Sequence, residues 1–99
     1  MSQPISFNRT VSLDLKDILE FYEDEGGTEL ADKFYEFLMI RIGQIRKNPE
    51  QFPFFDLGIR RANLERFPYH RLYRVRPDGI RVFVLRHNRR NPSFGKRRK

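Results

Sequence analysis

The hydrophobic period of this 99-residue chain changes once, at Asn48–Pro53, and that switch limits the folds open to it. Upstream, apolar residues recur at the spacing of a helix face, about 3.6 residues per turn. One set is Val11, Leu15, Ile18 and Tyr22; a second is Ala31, Phe34, Tyr35, Leu38, Ile42 and Ile45. Downstream the pattern alternates, as it does in strands. Gly58–Leu64, His70–Arg76 and Ile80–His87 are candidate strands, and the short alternating Ile5-Ser6-Phe7 reads as an edge strand. The punctuation agrees. Thr10 or Ser12 can cap the first helix, Gly26-Gly27 stops it, Thr28 caps a longer second helix, and Pro49 ends that one. Pro77-Asp78-Gly79 suits a tight turn, with proline second and glycine supplying positive φ. Val82 and Val84 then face one side of the last strand, Phe83 and Leu85 the other, so this strand belongs in the sheet interior. The fold class expected is α+β: an N-terminal edge strand and a two-helix hairpin packed on a small antiparallel β-sheet.

The length fits one domain, read here as residues 1–95, followed by a basic tail at 96–99 expected to be disordered. Ten Phe and four Tyr point to an aromatic core. The absence of cysteine excludes disulfides, thiolate metal sites and a Cys nucleophile, and it fits a reducing cytoplasm. Two histidines without acids at ligand spacing argue against a metal, and no cofactor is expected. No apolar run approaches the roughly 20 residues a membrane span needs. The N-terminus lacks a signal-peptide layout. The reading is a cytoplasmic protein without a membrane partner.

Charge is segregated. Residues 86–99 hold seven Lys/Arg and no acid, so the whole formal charge of +7 resides there. Residues 11–36 carry nine acids and two bases, whereas 37–85 carry ten bases and four acids. An acidic helical pair is thus joined to a basic sheet and tail, which favours a polyanionic partner. The candidate contacts are Arg60, Arg61, Arg71, Arg74, Arg89 and Arg90. Cleaving RNA through its own 2′-OH needs a base, a cation on the phosphorane and an acid for the leaving oxygen. His70, His87 and Arg90 are the candidates, since histidine titrates near neutrality and arginine grips phosphate.

The stretch NPEQFP, then Arg60-Arg61, then FPYHRLYRV, then DGIRVFVLRHNRRNP resembles the RelE/ParE superfamily of bacterial toxins. The resemblance is carried by Asn48-Pro49, Phe52-Pro53, Phe67-Pro68-Tyr69, Tyr73-Arg74-Val75 and the closing His87, Arg90 and Pro92, and it runs from Ile5 to Phe94. It implies a RelE/ParE-like fold and the growth-inhibiting toxin of a type II toxin–antitoxin system, of the kind linked to plasmid stabilisation. RelE-type ribosome-dependent mRNA endonucleases carry an arginine after the strand's tyrosine. Here that position is His70, with Arg71 one place on. Where such enzymes have a cation and then an aromatic hydroxyl or histidine, this chain has Asn88-Arg89-Arg90 and Phe94. Phe94 cannot transfer a proton. ParE-type members, which poison DNA gyrase, need no such set, so a ParE-like action is preferred. A metal-independent, ribosome-dependent mRNA endonuclease remains the alternative, and a basic RNA- or DNA-binding module without toxicity is the third. The resemblance also implies a cognate antitoxin whose acidic segment wraps the toxin. Leu30, Phe37 and Ile40, off the main helical stripe with Met39, are the candidate antitoxin contacts.

Overall fold

Asn8 starts the helical part of the chain, displacing the expected Thr10 or Ser12. Its Oδ1 accepts from the Thr10 backbone N–H at 3.0 Å and the Thr10 hydroxyl at 2.7 Å. Asparagine is among the strongest N-caps because its side chain satisfies a first-turn donor. The computed structural model describes residues 3–89. Arg90, Pro92, Phe94 and the 96–99 tail lie outside the described residues. β1 (Ile5–Phe7) is followed by α1 (Arg9–Lys47), a short 3-10 turn (Pro49–Gln51), β2 (Phe54–Asp56), β3 (Ile59–Asn63), β4 (Tyr69–Arg76) and β5 (Gly79–His87).

The expected two-helix hairpin is corrected: α1 is one helical element, with Thr28 inside it. Gly27 alone leaves helical geometry, at φ 77° and ψ −175°. That conformation is open to glycine and strained for any other residue. The kink is sharp. Tyr22 stacks on Phe34 with ring centroids 5.2 Å apart, whereas twelve residues of straight helix would separate them by about 18 Å. Residues 9–26 and 28–47 therefore form two arms that share one apolar face. Val11, Ile18, Phe34 and Leu38 join Tyr69 and Leu85 of the sheet in one core cluster. Ile42 and Ile45 join Ala62, Tyr73 and Val82 in the next. The helix ends at Asn48, whose N–H reaches Gln44 O at 3.0 Å, and Pro49 prevents continuation.

The sheet runs β1-β5-β4-β3-β2. β1 pairs parallel with β5, so the sheet is mixed rather than wholly antiparallel. The long helical connection makes this possible, because parallel neighbours need a crossover. β2 is an addition at the far edge, outside the candidate strands of the alternating half. β4 and β5 meet through a turn at the expected place, shortened to the two residues Pro77-Asp78 because Gly79 already pairs with Arg76. A Cβ on Gly79 would come within 2.6 Å of the Pro4 carbonyl oxygen, which accepts from Ile80 N–H at 2.8 Å.

One irregularity decides where side chains point. Between Leu72 and Tyr73 the register slips, so Tyr73 faces Val82 while Leu72 faces Val84. Phe83 is the extra residue of a β-bulge. Strict alternation would have put Val82 and Val84 together. Instead Val82 and Leu85 turn to the helices, while Phe83 and Val84 join Ile59 and Leu72 on the outer face.

Candidate functional site

Strand alternation divides the basic residues that the sequence groups together, and the bulge separates the two histidines. Residues paired across antiparallel strands share a face. Arg60 pairs with Tyr73 and Arg71 pairs with Leu85, so both turn toward the helices. Arg61 pairs with Leu72, and Arg74 with Arg81, on the outer face. His70 pairs with Arg86 on that same face, whereas His87 pairs with Tyr69 on the helix side. The two histidines and the arginines therefore do not converge on one site. Arg90 lies outside the described residues.

His70, a catalytic candidate from the sequence, is buried, 1 % exposed. Its Nε2 accepts from Arg86 Nε at 2.8 Å, which leaves the ring proton on Nδ1, 2.7 Å from Asn88 Oδ1. Arg61 sends a longer bond, 3.4 Å, to the same oxygen and holds Asn63 at 2.8 Å. Burial pushes the His70 pKa down to about 4 against the pull of Asn88, and the cations Arg61 and Arg86 push the same way. The ring is neutral at pH 7 with both nitrogens engaged. Burial also lowers the Arg86 pKa, with Arg61 adding to the effect.

Arg60 anchors the loop before β2. Its Nη1 donates to the carbonyls of Glu50 at 3.1 Å and Phe52 at 2.7 Å, and its guanidinium lies 3.9 Å from the Phe54 ring centre. Tyr73 donates to Pro49 O from the other side, and burial raises its pKa to about 12. The Asn48–Pro53 motif is thus a pinned loop. Arg71 is likewise no surface residue: it is 3 % exposed beneath the helical arms, with Phe7 against its guanidinium at 5.3 Å. Burial lowers its pKa to about 10, so it stays charged. Arg74 is half-buried and Arg89 exposed. His87 is half-buried, edge-on to Tyr69 at 5.1 Å, and accepts from the Arg89 N–H at 3.1 Å. It lines a small cavity with Asp14 and Asp17.

The sequence pattern described as the ParE toxin of the type II toxin–antitoxin system parDE matches residues 5–92. The chain belongs to the ParE toxin family. Among solved structures it is similar to the chromosomal ParDE toxin–antitoxin system from P. aeruginosa, at 22 % identity and a TM-score of 0.77, over 87 % of this chain and 96 % of that one. That likeness is one of fold. No curated protein matches the chain in sequence.

The ParE-family motif residues are mostly structural. Phe67 and Tyr69 pack on Tyr22 and Phe34, and burial with the nearby Tyr69 hydroxyl raises the Tyr22 pKa to about 12. Of the off-stripe helical residues, Ile40 is exposed, while Leu30 and Phe37 are half-buried. Phe37 packs near Phe67 at 5.9 Å and under Arg66 at 5.6 Å. Leu30 opens toward Gly26, Glu29 and Lys33 instead, so the three do not form one patch. Asn88 and Arg86, the partners of His70, had no signal in sequence. Counting back from the turn sets Leu85 opposite His70, and only the bulge brings Arg86 there. Among the described residues, no cluster of three or more His, Asp or Glu could hold a metal ion, and no helix is long and apolar enough to cross a membrane.

Proposed function

We propose that this chain is a toxin that arrests growth by binding DNA gyrase rather than by cutting RNA, and that an acidic antitoxin segment restrains it. The observation that carries the reading is the separation of the two histidines onto opposite faces of the sheet, with His70 buried and neutral. General acid–base catalysis needs groups within hydrogen-bond reach of the substrate's protons and a pKa near the working pH. His70 meets neither condition. Arg71, the nearest match to the endonuclease arginine, is buried on the far side from Arg61. What the outer face offers is a cationic row, Arg61, Arg74 and Arg81, suited to binding an anionic surface.

Induced expression with DNA breaks and mRNA ends monitored in parallel tests this. Growth arrest with DNA damage and no codon-phased mRNA cuts is the expected result. His87→Ala should leave the arrest intact. Ribosome-phased cuts that vanish in His87→Ala would reverse the assignment toward an endonuclease.

A further inference from the structure

A groove of about 400 Å³ runs between the free edge of β1 and the two arms of α1. Ile5 and Phe7 of β1, Val11 and Leu15 of the first arm, and Tyr35 and Met39 of the second line it. Phe7, Tyr35 and Met39 are 41 %, 45 % and 46 % exposed, so the apolar lining is open to solvent. Its charged lining residues are Arg46 and Arg71, both cations. Residues 11–36 of the arms, by contrast, carry nine acids and two bases.

Arg71 is the unusual member. It is 3 % exposed, and its Nε and Nη1 are buried with no hydrogen-bond partner. Buried polar groups in native structures are nearly always paired, and an unpaired cation is among the costliest exceptions. The Phe7 ring at 5.3 Å offsets part of that cost, but an aromatic face does not saturate two N–H donors. Nε–H and Nη1–H lie on different edges of the guanidinium, and each forms with Nη2 a fork that matches a carboxylate bidentately.

We propose that Arg71 is a specificity-determining residue for the antitoxin: the groove takes an acidic, partly apolar peptide segment of it, and one Asp or Glu of that segment closes on one of these two edges of the Arg71 guanidinium. Phe7 covers the guanidinium from a three-residue edge strand, and its exposed ring swings aside to admit the carboxylate. The apolar neighbours of that acid fill the space beside Val11, Leu15 and Met39. Charge complementarity selects this occupant over a neutral helix, which would leave the cation buried and unpaired. The assignment rests on the chain's being the toxin half of a toxin–antitoxin pair.

The test uses the full chain and the antitoxin encoded beside it. Arg71→Met removes the charge while filling the space. The free variant should melt at or above the wild-type temperature, because an unpaired buried cation is gone. Its affinity for the antitoxin should fall by about 30-fold or more, as expected when one member of a buried charge pair is lost. An Asp/Glu→Gln scan of the antitoxin should then find one position whose change weakens wild-type binding but not binding to Arg71→Met. Unchanged affinity in Arg71→Met overturns the proposal, as does growth arrest lost at unchanged antitoxin affinity, which would assign Arg71 to the target. If Arg71→Met fails to fold, the Gln scan against wild type decides: no sensitive acid means no carboxylate on Arg71. A wild-type chain that binds no antitoxin overturns the toxin pairing itself as well.

Discussion

A histidine held between an arginine donor and an asparagine acceptor makes folding stability depend on pH in one direction. The His70 pKa is lowered from 6.5 to about 4 in the fold. Above pH 6.5 the ring is neutral in both folded and unfolded chains, so it adds no pH dependence there. Between pH 6.5 and about 4 the unfolded chain takes up a proton that the folded chain refuses, and stability falls as pH drops. The slope from this group reaches about 1.4 kcal/mol per pH unit, for a loss of order 3 kcal/mol across the window. Urea melts of wild type and His70→Gln from pH 7.5 to 4.5 check this. The variant should start lower, by about 1–3 kcal/mol for its broken network, and should show a flatter acid limb. Parallel limbs would mean that His70 is solvated and titrates normally. At the same scale, Arg60 and Arg71 show how little side-chain charge alone says about role. One arginine ties loop carbonyls; the other sits unpaired under an aromatic ring.

For the elements, two glycines in α1 give opposite expectations. Gly27 occupies φ 77°, ψ −175°, with open space around a built Cβ. The obstacle to a side chain there is backbone strain alone, so Gly27→Ala should destabilise by about 1–3 kcal/mol. Gly43 is exposed, with nothing within 4 Å of a built Cβ and ordinary helical geometry. Gly43→Ala should stabilise by about 0.5–1 kcal/mol. Thermal melts of the two variants should move in opposite directions. Equal shifts would place the bend elsewhere than Gly27. The helix stop, the turn at Pro77-Asp78 and the three longer strands were legible in sequence because each is marked by local chemistry: a proline, a glycine or an alternation. The bulge at Phe83 was not. Val82 through Leu85 are all apolar, and nothing local says which of them turns toward the helices.

At the scale of the whole molecule, the two proposed partner surfaces lie on opposite sides. The groove proposed for the antitoxin opens on the helix side at β1. The outer face carries Arg74 and Arg81 directly opposite each other. Like charges across a strand pair are destabilising, so this face suits an anionic partner better than it suits stability. Arg81→Gln should therefore raise stability slightly, by up to about 0.5 kcal/mol, while weakening growth arrest and leaving antitoxin affinity intact. Arrest at full strength would remove this row from the target surface.

The sequence by itself determined the helical half, β1 and the three longer strands, the α+β class and the RelE/ParE-family resemblance, since periodicity, turn residues and motifs are local properties readable from neighbours. Tertiary structure alone decided the continuity of α1 through the Gly27 bend, the parallel seating of β1, and which face of the sheet the helices cover. These depend on groups far apart in the chain. Tyr22 must meet Phe34, Pro4 must find Ile80, and Leu85 rather than Val84 must fill the space beneath the helices. The bulge that satisfies this last demand also sets Arg86 against His70 and turns His87 to the helix side. The packing of one leucine thereby separates the two histidines that sequence had grouped in a single basic site.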